Sequence, residues 1–121
     1  MILVVDDDKS LSQLVRRLLE DAGYSVENAH DGQSAYSILQ ERGDCKCMIL
    51  DMHMPNINGA ELLMLLAADG SEVPVLVMAA FEDFESDEIK GFPNVKGFFP
   101  KPFYPEALLE KVQELAGKTD V

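Results

Sequence analysis

The stretch Ile2-Leu3-Val4-Val5-Asp6-Asp7-Asp8 places four consecutive apolar residues directly before three carboxylates. A short continuous run of this kind, rich in β-branched residues, is typical of a strand that is buried on both faces of a parallel sheet. The three acids then stand where the strand ends and a loop begins. The stretch therefore predicts a central strand and a concentration of negative charge at its carboxyl end.

Apolar runs alternate with amphipathic, helix-length segments along the chain. The runs that predict strands lie at residues 2–5, 24–29, 47–50, 75–79 and 97–100. Between them, apolar residues recur at helical spacing after the candidate caps Ser10 and Asp31, in a third helix that ends at residue 70, and from Pro105 onward. Leu14 and Leu65 count among the positions that this spacing turns inward.

This alternation predicts an α/β fold of the flavodoxin-like kind. We expect a doubly wound sheet of five parallel strands in the order 2-1-3-4-5, with helices on both faces. Between the fourth and fifth strands Gly91 and Pro93 leave room for only a turn or two, so the fourth helix should be short or irregular. With 121 residues and no repeat or linker, the expectation is a single domain over 1–121.

The charge balance excludes several classes of function. The chain has 22 acidic and 10 basic residues and a formal charge of −12, which argues against a nucleic-acid groove or an anionic membrane surface. No apolar stretch approaches the roughly 18 residues of a membrane span. Cys45 and Cys47 are too close in sequence to bridge readily, so free thiols in a reducing cytoplasm are expected.

Several charged residues directly follow predicted strands. Asp6, Asp7 and Asp8 follow the first strand, Asp51 the third and Lys101 the fifth. Because the carboxyl ends of parallel strands meet at one edge, these side chains should gather there. Two carboxylates about 4 Å apart repel by roughly 4 kcal/mol at an effective dielectric near 20, so the cluster calls for a cation such as Mg²⁺. Helix capping is the simpler explanation for Asp8, but it does not account for Asp51 or the lysine.

Three runs together carry a family resemblance. They are residues 2–8, then Met48-Ile49-Leu50-Asp51-Met52-His53-Met54-Pro55 with Gly59, and finally Lys101-Pro102-Phe103. In this order and at these strand ends they resemble the signatures of response-regulator receiver domains, the phosphoryl-accepting modules of two-component signalling. The resemblance extends from Met1 to about Ala116.

The resemblance implies roles for individual residues. Asp51 matches the phosphoacceptor, and Asp7 matches a direct Mg²⁺ ligand. Asp6 matches an acid that reaches the metal mainly through water, while His53 matches the residue whose backbone carbonyl completes the metal site. Lys101 matches the lysine that contacts the phosphoryl group.

Two positions that take part in the conformational switch of the family have no hydroxyl group in this sequence. Where the family places a Thr or Ser after the fourth strand, this sequence has Ala79, which has no side-chain hydrogen-bonding group. Phe98 matches the switch aromatic but has no hydroxyl group. Losing one neutral hydrogen bond costs on the order of 1 kcal/mol, so the response to phosphorylation should be weaker or differently routed. Another hydroxyl group, such as that of Ser86, or a water molecule is an alternative hydrogen-bond partner for the phosphoryl group.

The leading hypothesis is therefore a cytoplasmic phosphoacceptor that takes its phosphoryl group from a histidine kinase or a phosphotransfer protein. It is expected to act as a switch and not as a turnover enzyme. One alternative is a degenerate receiver that binds proteins independently of phosphorylation, which Ala79 favours. A less favoured one is a Mg²⁺-dependent aspartyl-phosphate phosphohydrolase with His53 as general acid, since the chain leaves no room for a substrate-selecting cap domain.

The resemblance also suggests a pairing surface. Receivers often pair through the fourth helix, fifth strand and fifth helix, and here Phe98, Phe99, Phe103 and Tyr104 supply apolar side chains near that face. A homodimer through these elements is one expectation for the cluster, and a place in the core is the other.

Overall fold

Five parallel strands form the centre of the computed structural model, which describes residues 1–52, 59–79, 91–100 and 104–117. The strands are β1 (Ile2–Val5), β2 (Val26–Ala29), β3 (Cys47–Asp51), β4 (Val75–Ala79) and β5 (Val95–Pro100). The described helices are α1 (Lys9–Asp21), α2 (Gly32–Glu41), α3 (Gly59–Ala68) and α4 (Pro105–Ala116). The helix named α4 here is the one predicted to begin at Pro105, which it does.

The strand order is β2-β1-β3-β4-β5, which confirms the predicted fold class. β1 pairs in parallel with both β2 and β3, so that Val5 lies beside Ala29 on one side and Leu50 on the other. β3 continues the ladder to β4, where Asp51 is the register partner of Met78. The first and third strands are therefore central, and their carboxyl ends lie side by side.

Alternation along β1 divides the core between the two faces of the sheet. Leu3 and Val5 belong to a buried cluster that includes residues of α2 and α3. Ile2 and Val4 belong to the cluster on the opposite face, which includes residues of α1 and α4. All four side chains are fully buried, as expected for a strand covered by helices on both sides.

The helix termini follow local hydrogen-bonding chemistry, with one correction. Asp8 caps α1, because its carboxylate accepts a hydrogen bond from the backbone N–H of Leu11 at 3.1 Å. This confirms helix capping as the explanation for Asp8, whereas the other candidate cap, Ser10, was wrong and lies in the first turn of α1. Gly23, with φ of 98°, follows the end of α1 in the left-handed region, as expected for a residue that stops a helix.

The structure also corrects the predicted core positions of two helices and the predicted start of the second strand. Leu14 is 58% exposed and Leu65 is 36% exposed, so neither is a core residue. β2 begins at Val26, because Tyr24 is buried beside the sheet without joining the ladder. The predicted helix between β4 and β5, and with it Ser86, lies outside the described residues.

Asp31 caps α2, as predicted, and supplies a test of stability against pH. Its carboxylate accepts a hydrogen bond from the backbone N–H of Ser34 at 2.7 Å, and this bond holds the pKa of Asp31 below its ordinary value. A lowered pKa in the folded state means that the stabilisation is present above the unfolded pKa. It is lost as the pH falls through the folded pKa.

We expect Asp31→Ala to lower the free energy of unfolding by about 1 kcal/mol at neutral pH. The difference from the wild type should begin to shrink below about pH 4, the ordinary pKa of the unfolded state, and should shrink further as the pH falls through the lowered pKa of the folded state. Urea unfolding over a pH series measures the loss of unfolding free energy at neutral pH and its decrease at low pH. Asp31→Asn is the matched control, because it keeps the accepting oxygen and does not titrate; a difference from the wild type that persists unchanged at pH 3 would contradict the explanation.

Candidate functional site

Two buried carboxylates lie at the carboxyl edge of the sheet. Asp51 is the last residue of β3, and Asp6 is the first residue after β1. Because β1 and β3 are parallel neighbours in register, both chains leave the sheet at the same level. Asp6 is fully buried and Asp51 is 3% exposed, which is unusual for acids unless they are paired, hydrogen-bonded or bound to a cation.

Asp7 completes a group of three. One carboxylate oxygen from each of Asp6, Asp7 and Asp51 lies within 4.8 Å of the others, and Asp7 is the exposed member. Among the described residues, this is the group of three or more potential ligand side chains that is compact enough to hold a metal ion. The arrangement is open to solvent on the side of Asp7 and closed on the side of the sheet.

Hydrogen bonds hold Asp6 beside the end of β2. Its backbone N–H donates to the carbonyl of Ala29 at 3.0 Å, and its Oδ1 accepts from the backbone N–H of Asp8 at 2.9 Å. His30 Nδ1 lies 3.1 Å from the carbonyl oxygen of Asp6. Since a carbonyl oxygen only accepts, this ring nitrogen must carry the proton. The turn after β1 is thus held by its own backbone and by the residues at the end of β2.

His30 was missed as part of this site by the sequence analysis. Its position directly after β2 was the available signal, because β2 ends at the same edge of the sheet as β1.

Gly59 closes the back of the site. Its backbone N–H donates to the carbonyl of Met52 at 3.4 Å, which joins the start of α3 to the end of β3. A Cβ atom at Gly59 would lie 2.7 Å from Met52 Sδ, 2.9 Å from Met52 Cα and 3.2 Å from the carbonyl oxygen of Asp51. Only glycine permits this approach without displacing the backbone that carries Asp51.

The donor set suits a hard cation. All three side chains offer oxygen, and none offers sulfur or imidazole nitrogen, so Mg²⁺ fits the group better than zinc or copper does. Two buried carboxylates beside a third also need positive charge nearby, which a divalent ion supplies.

The cysteines lie apart from this chemistry. Cys47 opens β3 at the opposite edge of the sheet from Asp51, and both Cys45 and Cys47 are free thiols, as expected. Burial raises the pKa of Cys47 to about 12, so its thiol stays protonated at neutral pH. Burial also raises the pKa of Cys45. Both thiols are therefore harder to deprotonate than an ordinary cysteine, and neither belongs to the acid cluster.

The remaining predicted site residues are only partly described. Ala79 is the last residue of β4, next to Met78 and paired with Pro100 of β5. Phe98 lies in β5 and is 37% exposed. His53 and Lys101 lie outside the described residues, so their predicted roles stay predictions.

A doubly wound sheet with buried acids at the ends of its first and third strands is the arrangement that the resemblance to receiver domains implies. The chain belongs to the response regulator receiver domain family, whose model matches residues 2–113. This confirms the resemblance inferred from the sequence and makes the chain a receiver domain of a two-component response regulator. No described helix has the length and apolar character needed to cross a membrane.

Curated relatives support this assignment. Response regulator MprA from Mycobacterium avium is 38% identical over 120 residues, which is 98% of this chain and 51% of the relative. The protein of the same name from Mycobacterium tuberculosis has the same identity and coverage. The chain thus spans about half the length of the curated relatives it matches.

Solved structures give the same answer for the fold. The receiver domain of the Francisella response regulator 1452 is 26% identical with a TM-score of 0.86, covering 95% of this chain and 94% of that one. The chemotaxis response regulator CheY4 of Vibrio cholerae is 32% identical with a TM-score of 0.84, covering 94% and 96%.

Gly59→Ala tests the closure of the site. In an ordinary helix this change stabilises by roughly 1 kcal/mol, but here we expect it to lower the free energy of unfolding by about 1–3 kcal/mol, since the new methyl group meets backbone. Urea unfolding measures the difference. Gly43→Ala is the matched control, because nothing lies within 4 Å of its Cβ position. A Gly59→Ala variant as stable as the wild type would show that α3 yields without strain.

Proposed function

We propose that this chain is a phosphoacceptor receiver in which Asp51 takes a phosphoryl group from the phosphohistidine of a histidine kinase or phosphotransfer protein. The observation that carries the proposal is the buried Asp51 carboxylate, placed within 4.8 Å of oxygens of Asp6 and Asp7 at the end of a central strand. Membership of the receiver family supports the choice of donor. The partner proteins are defined here only by that chemistry.

The transfer is a displacement at phosphorus. An oxygen of Asp51 forms the new P–O bond as the P–N bond to the donor imidazole breaks, and the imidazole leaves with the electron pair. The product is an acyl phosphate on Asp51. A bound Mg²⁺ supplies positive charge that offsets the repulsion between the carboxylates and the charge on the phosphoryl oxygens.

The chain's own residues orient the reacting group. Register pairing of β3 with β1 and β4 fixes the backbone of Asp51, and Gly59 allows α3 to pack directly behind it. Oδ1 of Asp6 accepts a hydrogen bond from the backbone N–H of Asp8, so the orientation of this carboxylate is set before any ligand arrives. Asp7, being exposed, is the acid that faces incoming solvent and ligand. Lys101 is assigned to the phosphoryl oxygens by resemblance.

The domain is proposed as a switch and not as a turnover enzyme. It assists its own phosphorylation and hydrolysis, and no further substrate is part of the proposal. The Mg²⁺-dependent phosphohydrolase has no specific observation in its favour.

A phosphorylation-independent binding module is the second candidate, because Ala79 takes the place of the hydroxyl residue of the switch. Such a module has no need of a functional metal site. The presence of all three acids, with Asp6 and Asp51 buried at strand ends, therefore favours the phosphoacceptor.

Exposed aromatic side chains support a proposed pairing of two copies near β5 and α4. Phe98 is 37% exposed, and Tyr104 at the start of α4 is 77% exposed. Phe99 instead packs against the core, so the aromatic cluster divides between the two expectations. Phe103 lies outside the described residues.

Asp51→Asn tests the phosphoacceptor. Acetyl phosphate with Mg²⁺ should add one phosphoryl group to the wild type, detected by intact-protein mass spectrometry, and none to Asp51→Asn, because an amide oxygen is not a comparable nucleophile.

Asp7→Asn should weaken Mg²⁺ binding at least tenfold, measured by calorimetry, because it removes a ligand charge. Asp21→Asn, an exposed carboxylate at the end of α1, is the matched control and should change neither.

A phosphoryl adduct that survives Asp51→Asn would refute the assignment of the acceptor. Wild-type protein that binds no Mg²⁺ at millimolar concentration and takes no adduct would favour the binding module instead.

Ala79→Thr tests the departure at the switch position. A hydroxyl there can donate one hydrogen bond to the phosphoryl group, and a contribution of about 1 kcal/mol should shift the population of the activated state by about fivefold. Beryllofluoride with Mg²⁺ is the phosphoryl mimic, and the readout is the amide chemical-shift change in β5. Ala79→Val, which is isosteric with threonine but lacks the hydroxyl, is the control; equal responses of the two variants would exclude the hydrogen bond as the cause.

A further inference from the structure

Helix α3 is apolar on its solvent-facing side as well as on its buried side. Its buried positions are Gly59, Leu62, Leu63 and Leu66, which pack toward the sheet. The other six positions are occupied by alanine, methionine, leucine and one acid, Glu61. Most surface helices place charged or polar residues on this side. A helix that is apolar all round is typical of an element covered by another part of a protein.

The largest apolar side chains on this side are well exposed. Met64 is 61% exposed and Leu65 is 36% exposed, and with Ala68 they form one continuous strip, since residues three and four apart are neighbours on a helix. We refer to Met64, Leu65 and Ala68 as the α3 strip. With ten residues, α3 is roughly 15 Å long, which rules out a membrane span and suits contact with one helix.

The charged residues in α3 and directly after it have one sign, since both Glu61 and Asp69 are acids. Between Lys46 and Lys90 the sequence has no lysine or arginine but nine acids. The acids in this stretch are Asp51, Glu61, Asp69, Glu72 and the five within residues 82–88. Glu61 and Asp69 flank the strip at its two ends, where Asp69 also accepts a hydrogen bond from Gln40 of α2 at 2.8 Å. The two ends of the α3 strip therefore carry negative charge, while Arg42, which lines a cavity together with Asp69, is itself paired with Glu27 and Asp44.

This charge pattern decides between occupants. A second copy presenting the same strip would bring the acids of one copy against those of the other, which costs free energy without compensation. Nucleic acid and anionic membrane are disfavoured for the same reason. A partner with apolar side chains and flanking lysine or arginine residues can pack on the α3 strip and pair with the acids at its ends.

We infer that the α3 strip is a docking surface for a basic amphipathic helix of a partner protein. The partner's apolar residues pack on Met64 and Leu65, and its basic residues face Glu61 and Asp69. This surface lies on the helix that follows β3, and its binding does not require phosphorylation of Asp51. The inference thus stands independently of the proposed phosphoacceptor function.

The test uses a synthetic probe of defined chemistry. A fluorescein-labelled peptide of 14 residues, made of leucine at helical spacing and lysine elsewhere, is titrated with the 121-residue chain and followed by fluorescence anisotropy. Met64→Gln with Leu65→Gln should weaken binding at least tenfold. Leu14→Gln is the matched control, because Leu14 is 58% exposed on a different helix, and it should leave the affinity unchanged.

Two control peptides separate the contributions of shape and charge. A scrambled peptide of the same composition should bind at least tenfold more weakly, because it cannot present one apolar face. A leucine–glutamate peptide with the original spacing should not bind. Circular dichroism confirms that the variants keep their fold, and backbone amide shifts of the wild type during titration should change at residues 60–69, which locates the contact without any variant.

The inference is overturned if the double variant binds as tightly as the wild type, or if the scrambled peptide binds equally well. Amide shifts confined to α1 would likewise overturn it. Sedimentation of the chain alone tests whether a second copy occupies the surface. A dimer that is lost in the double variant would show that the α3 strip is covered by a second copy and would overturn the inference.

Discussion

Repulsion among three carboxylates is the constraint on which the site depends. Parallel pairing of β1 with β3 brings Asp6 and Asp51 to one edge, and both are buried there. Two such charges about 4 Å apart repel by roughly 4 kcal/mol at an effective dielectric near 20, and burial adds a desolvation cost. The backbone N–H of Asp8 offsets part of this for Asp6. The remaining repulsion explains why the site suits a divalent cation.

The rest of the domain holds that edge in place. The side chains of β1 and of β3 from Cys47 to Leu50 are fully buried between two helical layers, which makes the strand ends rigid points of attachment. Gly59 lets α3 approach the end of β3, and His30 joins the end of β2 to the turn after β1. Positions away from this edge, such as the α3 strip, are under different constraints and are available for contact with other proteins.

The sequence predicted the fold where one physical rule dominated. Continuous apolar runs marked β1, β3 and β4 correctly, because a strand covered on both faces leaves no place for polar residues. Prediction was wrong where two rules competed. Asp8 and Ser10 are both good caps, and only the helix start decides between them. Leu14 and Leu65 follow the helical spacing of buried residues, yet each helix has more apolar residues than its sheet-facing side can accept.

The sequence by itself determined which residues follow which strands: carboxylates after β1 and β3, no hydroxyl at Ala79, and a long stretch without basic residues. These are properties of chain order and residue chemistry. Only the tertiary structure decided that Asp6, Asp7 and Asp51 place oxygens within 4.8 Å, with Asp7 exposed and Asp6 buried. It also decided that His30 contacts Asp6 and that Met64 is exposed. The physical reason is that strand register and helix rotation arise from long-range packing, which brings together residues far apart in the chain.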